Sequence, residues 1–176
     1  MTQEPADDWS PAKHLDAITS SQMQWWQWAA LQTAVRMRDG HGPVQQVDAR
    51  FWIISLHMFR EAALIGADAE IPGIRAAIDH FDAQLPTLAI ARHIVVHSRQ
   101  YLAGRGNEQK AMMKSDPALI ADDVAKQFVH ISYNPAVDQV RVGLYVFAVE
   151  DTMEKVGALQ LTVYGRLRAG KPGPSE

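Results

Sequence analysis

The sequence predicts a mainly α (α+β) protein, a four-helix antiparallel bundle followed by a β-hairpin and a C-terminal helix. Apolar residues recur at three- and four-residue spacing from about residue 15 to 104 and again from 151 onward, as in amphipathic helices. Between about 127 and 148 they alternate instead, as in strands. The links between the first four helical segments are short, which favours antiparallel neighbours in a bundle.

A chain of 176 residues fits one domain, and we place it at 13–168, after a flexible lead-in at 1–12 and before a disordered tail at 169–176. Apolar residues make up 47% and charged residues 21%, which excludes wholesale disorder. A net charge of −3 argues against a protein that coats nucleic acid broadly, although it leaves room for a local basic patch.

The chain contains no cysteine. This excludes disulfides, thiolate metal sites and a cysteine nucleophile, and it agrees with a reducing compartment. The N-terminus lacks the apolar core of a signal peptide, and no run approaches the roughly 20 apolar residues of a membrane span. We therefore expect a cytoplasmic protein without a membrane partner.

The first helix is expected from about Leu15 to Met37, with glycines at 40 and 42 as its stop signal. It carries indoles on more than one face, at Trp25, Trp26 and Trp28. Side chains of this size need cover, because an exposed cluster would be an unusually large apolar patch. Two interpretations remain open, a helix surrounded by its own core and a helix covered by a partner chain.

The second helix is expected from Val47 to about Gly66, and its two apolar stripes predict burial from two sides. The third, from Ile71 to Leu85, has one clean apolar stripe. Pro86 begins the fourth, because proline is tolerated in a first turn, and that helix is expected to run to about Gly104.

The expected hairpin pairs Phe128–Tyr133 with Gln139–Ala148, because the intervening "NPAVD" is rich in turn-forming residues. Helical spacing then returns from about residue 151. A lone hairpin needs a surface to pack on, so the helices must supply one.

Charge is distributed unevenly along the chain. Residues 61–82 are mostly acidic, whereas residues 92–114 are mostly basic. Cations near a helix C-terminus complement its dipole, which accounts for Arg99 and Arg105. Arg92 lies in the first turns of its helix, where a cation is unfavourable, and it needs another reason. One is a structural ion pair to Asp79 or Asp82 on the third helix.

The other reason is that Arg92 has a catalytic role together with the histidines of the string "RHIVVH". On an ideal helix Arg92 and His97 are about 140° apart around the axis and about 7.5 Å along it, with His93 between them in angle. A ligand in a groove there could meet a guanidinium and two imidazoles together. Histidine can take or give a proton near neutral pH, and arginine can bind phosphate oxygens as charge builds on them. Such phosphodiester chemistry requires no metal and no cofactor.

The string "RHIVVH" in a helical bundle resembles the Arg-x4–6-His motif of the HEPN superfamily, the higher eukaryote and prokaryote nucleotide-binding domains. The resemblance implies that Arg92 and His97 form the catalytic pair and that His93 is the supporting polar residue. It also implies a homodimer with a composite cleft, RNA as the substrate or ligand, and a metal-independent endoribonuclease activity. Members act in RNA processing, phage defence and toxin–antitoxin systems, where an antitoxin is the partner, and some members are inactive.

We assign the neighbouring Arg99, Tyr101 and Arg105 to substrate binding. The segment from Gly104 to Asn107 is basic and rich in glycine. It fits a loop that closes over a phosphate chain, and it equally fits the ordinary end of a helix.

Two alternatives remain. His93 and His97 have the i, i+4 spacing of a helical metal pair, and with His57 or Glu61 as a third ligand they would resemble the DinB-like four-helix metalloproteins. The neighbouring Arg92 would repel that metal ion. The second alternative is a non-catalytic dimeric scaffold or interaction protein, in which the polar cluster is only the solvated edge of a helix.

Overall fold

The computed structural model describes residues 14–116 and 118–169. Its helices are α1 (Leu15–Asp39), α2 (Pro43–Asp68), α3 (Ile74–Gln84), α4 (Leu88–Val96), α5 (Ser98–Leu102), α6 (Asn107–Ser115), α7 (Ala121–Val129) and α8 (Val149–Ala169). Its strands are β1 (Ile131–Asn134), β2 (Gln139–Val142) and β3 (Tyr145–Ala148).

Helices α1 and α2 form a long antiparallel pair. Gly42 takes a φ of 61°, in the left-handed region that favours glycine, and Pro43 opens α2. Near the turn the Arg36 guanidinium lies 2.7 Å from the Asp48 carboxylate. At the far end a Cβ on Gly66 would lie 3.1 Å from the Thr19 side chain, so the helices approach closely along their whole length.

Helix α2 supplies the centre of the core. Trp52, Ile53, Leu56 and Phe59 are fully buried on it, and Phe59 meets Phe81 of α3 edge to face, with ring centroids 6.4 Å apart. The other helices close around α2 with buried apolar side chains of their own. These include Met23, Met37, Ile78, Ile94, Val156 and Val163. One of the two apolar stripes expected on this helix is therefore buried. The expected burial of the other, made of Phe51, Ile54, Met58 and Ile65, is wrong, since Phe51 is 52% exposed and the rest are only half-buried.

The three strands form an antiparallel sheet in the order β1-β2-β3. Asp138, in the turn between β1 and β2, accepts hydrogen bonds from Arg38 at 2.6 Å and from the Tyr133 hydroxyl at 2.8 Å. Arg38 belongs to the last turn of α1, so this contact ties the sheet to the helical hairpin. The C-terminal helix α8 follows β3 directly and is tied to α1 by the Tyr164 hydroxyl, which donates to the Ser20 carbonyl at 2.9 Å.

The mainly α class with a small antiparallel sheet and a final helix is confirmed. The strand pattern differs in detail, because the expected second strand, 139–148, divides into β2 and β3. Gly143, with a φ of 58°, and Leu144 form the turn between them, and Val142 pairs with Tyr145 across it. Glycine at the first position of a two-residue turn is a strong hairpin signal. The sheet therefore has three strands where the alternation predicted two.

The segment after the fourth predicted helix is more helical than expected. The predicted helix 86–104 divides into α4 and the short α5, and residues 107–129 add α6 and α7. Phe128 lies in α7, so the first strand begins at Ile131 and not at Phe128. Val124 and Phe128, four residues apart and both buried, give α7 the spacing of a helix face.

Trp25 and Trp28 are not core residues, since 59% and 54% of their surfaces are exposed. Trp26 is half-buried. The interpretation of a first helix surrounded by its own core is therefore wrong for Trp25 and Trp28, whose rings contact each other at the surface with centroids 5.8 Å apart.

The predicted lead-in at 1–12 lies outside the described residues, as does the predicted tail beyond Ala169. None of the helices within 14–116 and 118–169 combines the length and the apolarity that a bilayer crossing needs.

Candidate functional site

The predicted site residues meet where α4 ends. His97 leaves the helical path, with φ −102° and ψ 29°, and its amide donates to the His93 carbonyl at 2.9 Å. Its own carbonyl accepts from the Gln100 amide at 2.8 Å, which starts α5. The imidazoles of His93 and His97 lie 4.5 Å apart between centroids, tilted by 43°. The structure thus brings the two histidines into direct contact.

His93 is half-buried, and its Nε2 is buried without a hydrogen bond to any described residue. Burial lowers the pKa of His93 below its ordinary value, and the nearby charges of His97 and Arg92 lower it further, while Glu108 acts in the opposite direction. The ring is therefore neutral at neutral pH. A neutral imidazole is able to accept a proton.

Arg92 is half-buried on α4 and forms no ion pair with a described residue. The alternative in which it pairs with Asp79 or Asp82 is wrong. The Asp82 carboxylate instead takes a two-point hydrogen bond from Arg60 of α2, at 2.8 Å from Nε and 2.6 Å from Nη2. The Arg92 guanidinium therefore keeps its donors available for a ligand.

His57 lies on α2, close enough to Arg92 for that charge to lower its pKa. Burial lowers the pKa of His57, Arg92 and Arg60 lower it further, and the carboxylates of Glu61 and Asp82 oppose them. A cavity of about 270 Å³ opens here between α2, α3 and the start of α4. It is lined by His57, Arg60, Asp82, Leu85, Pro86, Leu88 and Ala89. The charge of Arg92 therefore acts on both His57 and His93.

The Arg60–Asp82 pair borders the candidate site, although the sequence offered no signal for it. The two residues are 22 positions apart on different helices, and each has other charged residues nearby in the chain. Only the packing of α3 on α2 selects these partners. Arg60 also donates to Glu61 at 2.8 Å, so a single guanidinium is shared by two carboxylates.

Tyr101 is fully buried, which differs from the exposed position that direct contact with RNA would need. Its ring stands edge-on to His93 with centroids 5.9 Å apart, and it packs on Phe128 at 5.7 Å. The burial raises the pKa of Tyr101, and no described residue makes a geometrically sound hydrogen bond with its hydroxyl. This arrangement suits a residue that packs against the His93 ring and limits its movement.

The loop after α5 is shaped around Tyr101. Gln109 donates from its side chain to the Tyr101 carbonyl at 2.8 Å and accepts from the Gly106 amide at 2.9 Å. A Cβ on Gly106 would stand only 2.3 Å from Cε1 of the tyrosine ring. Sequence reasoning missed both roles, although a side-chain acceptor three residues into a helix is a known capping signal.

Arg99 and Arg105 are both exposed, on the C-terminal side of the two histidines. The Arg105 amide donates to the Gln100 carbonyl at 2.8 Å, which folds the loop back toward α5. Their side chains are free to meet a ligand in solvent, and their assignment to substrate binding stays a prediction.

A metal centre lacks its ligands in the part of the chain that the structure describes, since no three His, Asp or Glu side chains are grouped to hold an ion. His57 and Glu61, the expected third ligands, face each other at 3.8 Å between Nε2 and Oε1. The DinB-like alternative therefore has no support from this arrangement.

Comparison of the chain with family models, with curated proteins and with solved structures found no match in any of the three.

Proposed function

We propose that the protein is a HEPN-like RNA-binding protein that cleaves RNA without a metal ion, with Arg92, His93 and His97 at the reacting phosphate. The observation that carries the proposal is the contact of His93 and His97 at 4.5 Å, with His93 held neutral beside Arg92. Such a set provides a proton acceptor, a proton donor and an anion-binding group. We place this activity in the cytoplasm, in keeping with the absence of cysteine.

The proposed reaction uses the 2′-hydroxyl of RNA. Neutral His93 takes its proton as the 2′-oxygen attacks phosphorus, and Arg92 binds the phosphate oxygens on which negative charge builds. The bond from phosphorus to the 5′-oxygen breaks, and protonated His97 supplies the proton to that leaving oxygen. The products are a 2′,3′-cyclic phosphate and a free 5′-hydroxyl. DNA, which lacks the attacking hydroxyl, is not cut.

The surroundings give this proposal further support. Arg99 and Arg105 are exposed on the side of α5, where they could contact neighbouring phosphates. The buried Tyr101 ring packs edge-on against the His93 imidazole, and a precise position of that imidazole matters for proton transfer. A homodimer would place two such clusters in one composite cleft, and an antitoxin that covers the cleft would silence it.

The test is incubation of the purified protein with mixed RNA in the presence of a chelator. We expect cleavage that survives the chelator and falls by at least about 100-fold in Arg92→Ala and in His97→Ala, a typical loss for a missing acid–base or charge-stabilising group. Cyclic phosphate ends should appear on the products.

Arg75→Ala and His80→Ala are the matched controls, since both side chains are exposed on α3. They should cleave as the wild type does. Cleavage that a chelator abolishes, or that persists in Arg92→Ala with the fold intact, would contradict the proposed chemistry.

A second candidate function is a non-catalytic dimeric scaffold. The observation that favours it is the exposed pair Trp25 and Trp28 on α1, which does not belong to the Arg-His cluster. In that case the wild type would leave RNA uncut under every condition, and Arg92→Ala would have no effect on assembly.

A further inference from the structure

The outward face of α1 carries no charge over most of its length. From Ile18 to Val35 the sequence has no Asp, Glu, Lys, Arg or His. An ordinary surface helix presents charged and polar side chains on the face opposite its apolar stripe. Here the buried stripe is made of Met23, Ala30, Ala34 and Met37 among others. The far side of the same helix nevertheless carries large apolar side chains, with only the uncharged Ser21, Gln24 and Gln32 among them.

Four large apolar side chains lie on this far side, Trp25, Trp28, Leu31 and Val35, and they are between 41% and 59% exposed. At about 100° per residue they all lie within about 120° of one another and away from the buried stripe. Three further exposed apolar side chains follow on the first turns of α2, at Val44, Val47 and Phe51. We call these seven residues the α1–α2 face.

The α1 and α2 parts of this face flank one seam. Arg36 of α1 reaches across to Asp48 of α2 at 2.7 Å, and these two residues lie at the edges of the apolar stripes that face outward. The stripe on α2 continues through the half-buried Ile54 and Met58, next to His57. The face therefore extends from the outer side of α1 onto the neighbouring side of α2.

The size of the α1–α2 face exceeds that of an ordinary exposed patch. The exposed fractions of its seven side chains amount to on the order of 700 Å² of apolar surface. The largest patch on a typical monomer is about 300–600 Å². A standard specific interface buries about 800 Å² on each partner. The area thus matches one side of a stable protein interface.

The order of side chains along α1 is self-complementary. The two indoles occupy its first half, at 25 and 28, and the two smaller aliphatic residues its second half, at 31 and 35. If a second α1 crosses antiparallel around a two-fold axis near residue 30, Trp25 faces Val35 of the partner subunit and Trp28 faces Leu31 of the partner subunit. Each large ring then meets a smaller side chain, as interdigitated packing requires.

We propose that the α1–α2 face binds a second copy of this chain, in a two-fold interface centred on α1 between Trp28 and Leu31. The α1 part of the face, from Ile18 to Val35, offers no charge that a partner could complement, whereas the order of its large and small side chains fits a second copy of the same helix. The inference does not depend on RNA cleavage. The assembly is measured without RNA, so either proposal can fail while the other stands.

The test is the molar mass of the full chain in solution, by sedimentation equilibrium over a micromolar dilution series. The wild type should have twice the monomer mass, and Trp28→Glu should reduce it to the monomer mass. Leu161→Glu is the matched control, because Leu161 is 75% exposed on α8 and outside the α1–α2 face. That variant should remain a dimer, and circular dichroism should show unchanged helix content in both.

Cross-linking gives a second readout that does not require Trp28→Glu to fold. The chain has no cysteine, so Leu31→Cys introduces a single thiol close to the proposed axis. A short thiol-to-thiol reagent should link two Leu31→Cys subunits efficiently and two Leu161→Cys subunits poorly. A monomeric wild type, a dimer that survives Trp28→Glu, or equal linkage of the two cysteine variants would each overturn the proposal.

Discussion

The imidazole rings of His93 and His97 lie 4.5 Å apart at the end of α4, close enough that the charge of one affects the other. A positive charge on His97 disfavours a second one on His93, and the Arg92 guanidinium acts in the same direction. The cluster therefore resists full protonation. Two neighbouring imidazoles in different protonation states are what an acid–base pair requires.

The titration of His93 follows from this arrangement. Its pKa is lowered, so the midpoint should lie below the ordinary value of 6.5. Removing the neighbouring charge in Arg92→Gln should move the midpoint upward, while Arg75→Gln on α3 should leave it in place. Proton NMR of the imidazole Cε1–H signals measures this, with His93→Gln to assign the resonance. A wild-type midpoint at or above 6.5 would contradict the described surroundings of His93.

His57 predicts how stability depends on pH. Its pKa is lower in the folded chain than its ordinary 6.5, chiefly through burial, so below about 6.5 the unfolded chain binds more protons. The contribution of His57 should therefore make the free energy of unfolding rise with pH up to about 6.5. Above about 6.5 this contribution should no longer change with pH. In His57→Leu the rise should become shallower.

Urea unfolding at several pH values between 5 and 8 would measure that slope, since the pH window brackets the ordinary histidine pKa. His80→Leu is the control, because His80 is exposed on α3 and should keep the wild-type slope. An unchanged slope in His57→Leu would show that the buried ring does not resist protonation as described.

Local sequence signals explain why the helices were predictable and parts of the candidate site were not. The one-sided stripe of α3 and the long apolar pattern of α2 depend on spacing within one segment, which periodicity reports directly. The partner of Asp82 and the burial of Tyr101 depend on which helices pack together. Neither the Arg60–Asp82 pair nor the burial of Tyr101 follows from the neighbouring sequence, since both side chains would be equally suited to a position in solvent.

The exposed tryptophans also show that local sequence signals do not determine which side chains are buried. Three indoles within four residues indicated a need for cover, and the sequence could not decide between the core and a partner. The core was already filled by Trp52 and its neighbours, so Trp25 and Trp28 were left outside. Competition between segments for one interior is a property of the whole chain.

The contact of Asp138 with Arg38 and Tyr133 predicts a separate effect in acid. The hydrogen bonds from Arg38, and to a lesser extent from Tyr133, hold the pKa of Asp138 below its ordinary 3.8. The stabilisation is present above that value and is lost as pH falls through the lowered pKa. Asp138→Asn, which still suits the φ of 47° at this position, should cost about 1 kcal/mol at neutral pH.

That cost should shrink in acid, as the wild-type carboxylate takes up its proton. Urea unfolding of both proteins at pH 7 and again near pH 3 would test this, since the second value lies below the ordinary aspartate pKa. A difference of the same size at both values would mean that the ion pair does not contribute to folding.

Gly106 provides the sharpest test of the support behind the candidate site. Its backbone, with φ −64° and ψ 147°, suits any residue, so Gly106→Ala introduces only the Cβ that would stand 2.3 Å from the Tyr101 ring. Since Tyr101 is fully buried, the ring has no free space to move into, and we expect a loss of about 1–3 kcal/mol in the free energy of unfolding.

Gly157→Ala on α8 is the matched control, because no described atom outside its own helix lies within 4 Å of the added carbon. That change should stabilise the protein by about 0.5–1 kcal/mol through helix propensity. Urea unfolding of the two variants should therefore give opposite signs, and a neutral Gly106→Ala would mean that Tyr101 is not packed against this loop.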